Sequence, residues 1–174
     1  PTVLDFHTIF PANSTFRTTK EFLQGSYVPT TLFIDGGCCG DLLTWAVVYF
    51  DQLDRPQSIR GCSDVANYTG LGESFGAEAI ALCQALHYFP TNLPLVIYSD
   101  CERLLTLMNS ISSRTTRFYL RHEARPILRY LMYKIAWFPH LQLSHVNRKN
   151  DDQNRLSRGN KLADFQSKLA RGDI

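Results

Sequence analysis

Two acidic residues of this chain each follow a short apolar segment. Asp35 comes after Thr31–Ile34 and precedes two glycines, and Asp100 comes after Leu95–Ser99. A buried β-strand that delivers one carboxylate to the edge of a sheet has this pattern, although Asp-Gly is also frequent in turns after strands. Asp35 alone is therefore more typical of a turn. Its repetition at Asp100 favours two acids that meet where neighbouring strands end.

Two further acids lie on predicted helices. Glu78 is in the first turn of a helix predicted over Phe75–Tyr88, for which Ser74 is a suitable N-cap, and Asp164 is in the first turns of a last helix predicted over Lys161–Ala170. Four clustered carboxylates raise one another's pKa unless cations lie among them. Hard oxygen ligands suit Mg²⁺ or Mn²⁺, and two such ions about 4 Å apart can cleave a phosphodiester.

The order of the predicted elements gives a mixed α/β fold. Three strands with short connections form an antiparallel meander, and later strands alternate with helices, which places helices on the faces of a five-stranded sheet. The predicted segments are strands Thr31–Gly37, Leu43–Asp51 and Ser58–Val65, helix Phe75–Tyr88, strand Leu95–Asp100, helix Glu102–Asn109, a helical region Thr115–Ile135 broken at Pro126, strand Leu141–Val146, a polar loop Asn147–Asn160 and helix Lys161–Ala170, in which Leu162, Phe165 and Leu169 are expected to face inward.

Residues 1–30 are poorly periodic and contain Pro11 and Pro29. We predict an N-terminal arm or linker packed on the domain, with a short helix near Thr19–Leu23, and a catalytic domain over residues 31–174. Pro1 stands where an initiator Met is expected, and this start suggests a fragment or a processed product of a longer chain.

Composition bounds the class of protein. The chain has 174 residues, of which 44% are hydrophobic and 20% are charged, as in one ordinary globular domain. Its longest apolar run is too short to cross a bilayer. The five cysteines show no metal-ligand spacing, and their odd number argues against a full set of disulfides. We therefore expect reduced thiols and an intracellular, reducing location such as the cytoplasm or nucleus.

The net charge of +2 conceals an asymmetry between the two parts of the chain. Residues 1–113 contain 5 Lys and Arg against 11 Asp and Glu, whereas residues 114–174 contain 13 against 5. Arg117, Arg121, Arg125 and Arg129 recur at four-residue spacing, so that consecutive members can share one face of a helix. A polyanionic partner and a merely solvated charged face both explain this pattern.

Four segments in this order resemble the type I ribonuclease H domain, including the domains attached to reverse transcriptases. They read LFIDGG, SFGAEAIALCQAL, LVIYSDCERLLTLMNS and LSHVNRK followed by NKLADFQSKLA, and they span residues 31–171. The resemblance implies an endonuclease that hydrolyses the RNA strand of RNA/DNA hybrids and leaves a 5′-phosphate. It implies that Asp35 bridges two Mg²⁺ ions, for which Mn²⁺ can substitute, that Glu78 and Asp100 complete one metal site, and that Asp164 serves the other.

The basic part of the chain fits such a hybrid. Arginines can follow backbone phosphates, and backbone groups near Asp35 can contact 2′-hydroxyls, while several of these arginines are equally explained as solvated helix residues. The predicted nucleic-acid-binding residues are Gly36, Gly37, Cys38, Ser74, Arg117, Arg121, Arg125, Arg148, Lys149, Arg155 and Arg158. A parent retroelement polyprotein would supply further domains as partners and a virus-like particle as location. We expect neither a membrane partner nor a small-molecule cofactor.

The sequence departs from the family after the fifth strand. Relatives often carry a histidine there that helps product release; in this chain Lys149 stands at that position and His145 stands at the position of a preceding tryptophan. Lys149 or His145 could take this role, and for His145 a strand residue buried in the core is the favoured alternative. The loop Asn147–Asn160 is also longer than usual before Asp164.

Three rival functions remain to be separated. A catalytically silent module that binds nucleic acid or connects domains would have the same fold, and the loss of an acid would favour it. An integrase or transposase expects the order Asp, Asp, Glu, which the early Glu78 and late Asp164 disfavour. Proofreading exonucleases usually carry Asp-x-Glu on the first strand, whereas this chain has Asp35-Gly36-Gly37.

Overall fold

The computed structural model describes residues 17–20, 28–40, 42–64, 74–89, 92–109, 125–147 and 155–170. Six strands form one mixed sheet in the order β1-β4-β3-β2-β5-β6. The strands are β1 Arg17–Lys20, β2 Thr31–Cys39, β3 Leu42–Phe50, β4 Pro56–Asp64, β5 Leu95–Ser99 and β6 Leu141–His145; the helices are α1 Ser74–Tyr88, α2 Glu102–Asn109, α3 Arg125–Ile135 and α4 Arg155–Ala170. The five predicted strands and their mixed arrangement are confirmed.

The strand β1 is an addition to the predicted sheet. Arg17–Lys20 pairs antiparallel with β4 and forms one edge of the sheet, so part of the predicted arm takes up a strand position. The prediction of a short helix near Thr19–Leu23 is wrong at Thr19 and Lys20, the two residues of this range that the structure describes, because both are in an extended strand. Thr is frequent in β-strands, and the backbone N–H and C=O groups at the edge of β4 can form hydrogen bonds with this segment.

The central strand β2 carries different residues on its two faces. Leu32 and Ile34 pack into the larger hydrophobic core with helix α1, and Phe33 packs with Ala163 of helix α4. Since successive side chains of a strand point to opposite faces, Asp35 lies on the same face as Phe33 and Gly36 lies on the face of α1. The end of β2 is therefore accessible to helices from both sides.

Helix α1 is buried along most of its length. Residues 75–86 are all buried, because the helix packs on the sheet and is contacted by α3. Ala77, Ala81 and Ala85 are fully buried, and small side chains at this spacing let the helix lie close to the strands. No helix among the described segments is both long enough and apolar enough to span a bilayer.

Helix α4 begins earlier than predicted. It starts at Arg155, so residues 155–160 of the predicted loop Asn147–Asn160 are helical. Arg155 and Arg158 are exposed, whereas the helix packs on the sheet through Ser157, Gly159, Asn160, Ala163 and Ser167. Phe165, which was expected to face inward, is 44% exposed. The inward face consists of small residues because the helix lies directly on Phe33.

Candidate active site

Strand pairing brings the two strand-end acids together. Strands β2 and β5 are parallel neighbours, and Ile34 is paired with Ser99. Asp35 and Asp100 are the next residues along the two strands, so both carboxylates lie at the same end of the sheet. This confirms that the two apolar segments ending in an acid are adjacent strands, and it excludes the simple turn interpretation of Asp35, which stays within β2.

Helix α1 supplies the third acid through a close approach at Gly36. A Cβ atom at Gly36 would clash with the backbone of Ala77 and would lie 2.6 Å from the amide nitrogen of Glu78. Only glycine leaves room for the helix at this point. Gly36 was predicted to let a nucleic-acid backbone come near, but the space beside it is filled by α1. Its observed effect is to place Glu78 next to Asp35.

Three carboxylates thus form a tight cluster. Asp35, Glu78 and Asp100 can each offer an oxygen such that all three oxygens lie within 4.8 Å of one another. Asp35 is 4% exposed and Glu78 is 3% exposed, while Asp100 is half-buried. The Oε2 atom of Glu78 is buried without a hydrogen-bond partner in the described part of the chain. An unsatisfied carboxylate oxygen in a buried acid cluster is costly for folding.

The electrostatics of the cluster follow from burial and from repulsion between like charges. Burial, together with the negative charges of Asp100 and Asp164, raises the pKa of Asp35 to about 7. Burial likewise raises the pKa of Glu78 well above its ordinary range, with Asp35 and Asp100 adding to the effect. A hydrogen bond between the two carboxyl groups lowers the pKa of Asp35 and raises that of Glu78.

The fourth acid reaches the cluster from the opposite face of the sheet. Asp164 lies in the third turn of α4 and is hydrogen-bonded to Asp35. It was expected in the first turns of this helix, and the earlier start at Arg155 accounts for the difference. The helix is held in place one turn later, where the hydroxyls of Ser167 and Thr44 lie 2.9 Å apart. Asp164 is half exposed and pairs with Lys168, whose Nζ lies 3.0 Å from its Oδ2.

The residues present fit a divalent cation. The donors are hard carboxylate oxygens, three of them converge on one point, and one buried oxygen has no protein partner among the described residues. Mg²⁺ and Mn²⁺ prefer such oxygen ligands, whereas the cysteine and histidine donors that soft metals prefer are missing from the three-residue cluster. A bound cation would also remove the repulsion that raises the pKa of Asp35 and Glu78.

Two predicted nucleic-acid-binding residues have other partners. Arg155 and Arg158 do not lie in a loop but in the first turn of α4, where both pair with Asp54 at 3.5 Å and 3.3 Å. Their guanidinium groups also lie over the ring of Phe50, at 5.1 Å and 4.6 Å from its centroid. These contacts fasten the start of α4 to the β3–β4 turn, at the end of the sheet opposite Asp35.

The remaining predicted residues fall into three groups. Gly37 and Cys38 lie at the end of β2, where a Cβ at Gly37 would approach the Thr44 hydroxyl to 3.3 Å. Ser74 begins α1 and Arg125 begins α3. Arg117, Arg121, Arg148 and Lys149 lie outside the described residues. For all of these, nucleic-acid binding stays a prediction.

His145 is exposed rather than buried in the core, so the favoured alternative for this residue is wrong. It is the last residue of β6 and is paired with Ser99 of β5, which immediately precedes Asp100. The edge position of β6 explains the exposure, because no further strand of the described segments pairs with it. His145 therefore lies at the same end of the sheet as the acid cluster, where a product-release role stays a prediction.

Two residues that matter for the site were missed by the sequence reading. Lys168 follows Asp164 by four residues, and this helical spacing is itself a sign of an ion pair. Gly159 lies against Phe33, whose ring atoms would be 2.5 Å from an added Cβ. The polar context of Gly159 indicated a loop, and only the buried strand opposite shows why glycine is needed there.

Among solved structures, the RNase H1 of the halophilic archaeon Halobacterium salinarum NRC-1 is similar to this chain with a TM-score of 0.56. The two are 18% identical, and the match covers 83% of this chain and 98% of that one. No protein-family model and no curated protein matches the sequence. At this level of identity the likeness concerns the fold, and the strand order and helix placement agree with it. The chain has the RNase H-like fold.

Proposed function

We propose that this chain is a metal-dependent ribonuclease H that hydrolyses the RNA strand of RNA/DNA hybrids. The observation that carries the proposal is the meeting of Asp35, Glu78 and Asp100 within 4.8 Å at the end of the central parallel strands. The neighbour with the same fold is an RNase H1. Four acids from four separate elements have no structural reason to converge, since their repulsion disfavours the folded state.

In the proposed reaction, the side chains of this protein hold the metal ions in position. Asp35, Glu78 and Asp100 would hold one divalent ion, and Asp35 together with Asp164 would hold a second. When bound, such ions stabilise charge on the phosphoryl oxygens and make a water acidic enough to attack. Asp35 would contribute to both sites, because it is hydrogen-bonded to Glu78 of α1 and to Asp164 of α4. Products with a 5′-phosphate are expected.

The direct test is cleavage of a hybrid whose RNA strand is labelled at its 5′ end. Asp35→Asn and Asp100→Asn should each abolish cleavage in Mg²⁺ and in Mn²⁺. Glu102→Gln is the matched control, because Glu102 is an exposed acid two residues from Asp100 and outside the cluster. Wild-type protein that binds the hybrid but leaves it uncut in both metals would contradict the proposal and would favour the catalytically silent module.

The cellular location and the origin of the chain both stay predictions. An intracellular, reducing location agrees with the absence of any disulfide among the five cysteines, all of which lie in the described segments. An origin in a retroelement polyprotein with a reverse transcriptase stays a prediction from the sequence, and no comparison supports it. Sequencing the native N-terminus and the reading frame upstream of Pro1 tests this origin.

A further inference from the structure

An aromatic pair is exposed at the end of helix α3. Trp137 is 65% exposed and Tyr133 is 36% exposed, and their ring centroids lie 6.1 Å apart in an edge-to-face arrangement. The other tryptophan of the chain, Trp45, is 1% exposed. An exposed tryptophan side chain does not contribute the free energy that its burial would provide. Exposed aromatic side chains of this size often mark a binding surface.

The backbone fixes the position of this pair. The amide of Trp137 donates to the carbonyl of Lys134 at 3.0 Å, and the amide of Phe138 donates to the carbonyl of Ile135 at 3.0 Å. Phe138 itself is buried and anchors the turn in the core. The amide of Leu95 donates to the carbonyl of His140 at 3.2 Å, which ties the turn to the start of β5. The indole is therefore presented by a well-anchored turn.

Cations accompany the two aromatic rings. Arg129, Tyr133 and Trp137 follow one another at four-residue spacing, which places consecutive members on one face of the helix and its last turn. This spacing continues the predicted arginine series into the aromatic pair. Residues 125–147 contain three Arg and Lys and no Asp or Glu. Within the described segments, neither Arg129 nor Lys134 forms an ion pair.

This surface is remote from the acid cluster. Strand β6 begins after the turn that carries Trp137 and runs to His145, which lies beside the end of β5 where Asp100 follows. Five residues of strand span about 17 Å. A ligand at Trp137 therefore does not occupy the site of the acids. The combination of positive charge with exposed aromatic faces matches a strand of phosphates and bases better than it matches a folded acidic protein.

We propose that Arg129, Tyr133, Lys134 and Trp137 form a binding surface for single-stranded nucleic acid. The aromatic rings stack on bases, and the cations neutralise the phosphates between them. Stacking tolerates any base, so the surface binds without sequence preference. It would hold a single-stranded extension of whatever nucleic acid the chain engages, and it does not depend on the proposed hydrolysis.

The test uses the full chain, oligo(dT) as the probe and EDTA in the buffer, so that neither RNA nor a divalent metal is present. Oligo(dT) should quench the fluorescence of wild-type protein saturably, because Trp137 is accessible and Trp45 is not. Trp137→Ala, whose affinity is measured by the anisotropy of dye-labelled oligo(dT) because the variant lacks the accessible tryptophan, should bind about fivefold or more weakly. Arg129→Gln should reduce the slope of log affinity against log salt by about 0.7.

Leu53→Ala is the matched control, because Leu53 is 67% exposed on the β3–β4 turn, away from this surface. It should bind oligo(dT) as the wild type does. Equal affinities of Trp137→Ala and Leu53→Ala, or an absence of fluorescence quenching in the folded wild type, would overturn the proposal. A Trp137→Ala variant that loses self-association in sedimentation while keeping its affinity for oligo(dT) would also overturn it.

Discussion

The carboxylates at the two ends of the central sheet lie in opposite electrostatic environments. Where β5 ends beside the middle of β2, Asp35 and Glu78 are buried beside other acids, and both have raised pKa values. At the other end, Asp51 accepts hydrogen bonds from the amides of Leu53 and Arg55 and from the Arg55 side chain, all at 2.9–3.0 Å. These hydrogen bonds lower the pKa of Asp51.

Asp54 completes the contrast. Its backbone φ of 59° lies in the left-handed region, which aspartate tolerates better than most residues. Two arginines of α4 pair with its carboxylate. The acids of this turn thus have cations and amides as partners, whereas Asp35 and Glu78 are buried beside other acids. Burial of like charges beside one another disfavours the folded state, so a bound cation is the best explanation of this arrangement.

The largest expected effect is on the pH dependence of stability in metal-free protein. Folded Asp35 has a pKa of about 7 against an ordinary value of 3.8, so between these values the folded state binds one more proton than the unfolded state. The free energy of unfolding therefore falls as pH rises through this window, by at most about 4 kcal/mol from this group.

Urea unfolding in EDTA at several pH values between 4.5 and 8 measures this decline. Asp35→Asn should flatten it, whereas Glu102→Gln should keep the wild-type profile. Addition of Mg²⁺ at pH 8 should restore part of the lost stability, because the ion binds only the folded state. A wild-type profile that stays level over this range would show that the cluster is not held protonated.

The next effect concerns the close approach that places Glu78. Gly36→Ala should destabilise the protein by about 1–3 kcal/mol, because its Cβ would overlap the backbone of Ala77 and force the helix away. Displacement of Glu78 should also lower the rate of hybrid cleavage. Gly37→Ala is the control, since its Cβ would meet two side-chain hydroxyls, that of Thr44 at 3.3 Å and that of Ser167 at 3.8 Å, and no backbone atom within 4 Å. Equal unfolding free energies for the two variants would contradict this role of Gly36.

A smaller effect is expected at the paired end of the sheet. Asp54→Asn should cost about 0.2–1 kcal/mol of unfolding free energy, because the ion pairs with Arg155 and Arg158 are half exposed. Hybrid cleavage should be unchanged.

Arg158→Gln tests the prediction that Arg158 binds nucleic acid. A flatter salt dependence of hybrid binding in this variant would show that Arg158 contacts phosphate as well as Asp54.

The smallest effect is expected for Lys168. Its ammonium group lies 3.0 Å from Asp164 and competes there with a cation that Asp164 would help to hold. Lys168→Met should lower the metal concentration that gives half-maximal cleavage by about twofold, in line with the weak coupling of exposed helical ion pairs. Measurement across a Mn²⁺ titration checks this, with Lys161→Met as a control on the same helix. A higher metal requirement in Lys168→Met would contradict the competition.

The sequence was informative about the acids because each lies in a strongly patterned element. Apolar segments that end in an acid identified β2 and β5, and the N-cap position of Ser74 identified α1 and hence the location of Glu78. Four acids in a fixed order on these elements then indicated the fold. What local pattern could not supply was the distance between elements, which depends on strand order and on the contact at Gly36.

The start of α4 shows where local pattern fails. Residues 155–160 are polar and include Gly159, so they read as a loop, yet they form a helix whose inward face is made of small polar residues. Tertiary contacts decide here: Phe33 lies under Gly159, and Asp54 holds the two arginines. Phe165, which is exposed, was predicted to face inward because it is hydrophobic. Hydrophobicity alone does not identify the buried face of this helix.

The claim that the acids at the end of β2 and β5 are kept for a divalent cation is tested most directly by calorimetric titration of Mn²⁺ into metal-free protein at pH 8, above the pKa of Asp35. Saturable binding to the wild type and to Asp54→Asn, with loss of binding in Asp35→Asn, is the predicted result. Equal binding heats in the wild type and in Asp35→Asn would contradict the account, because the cation would then bind elsewhere.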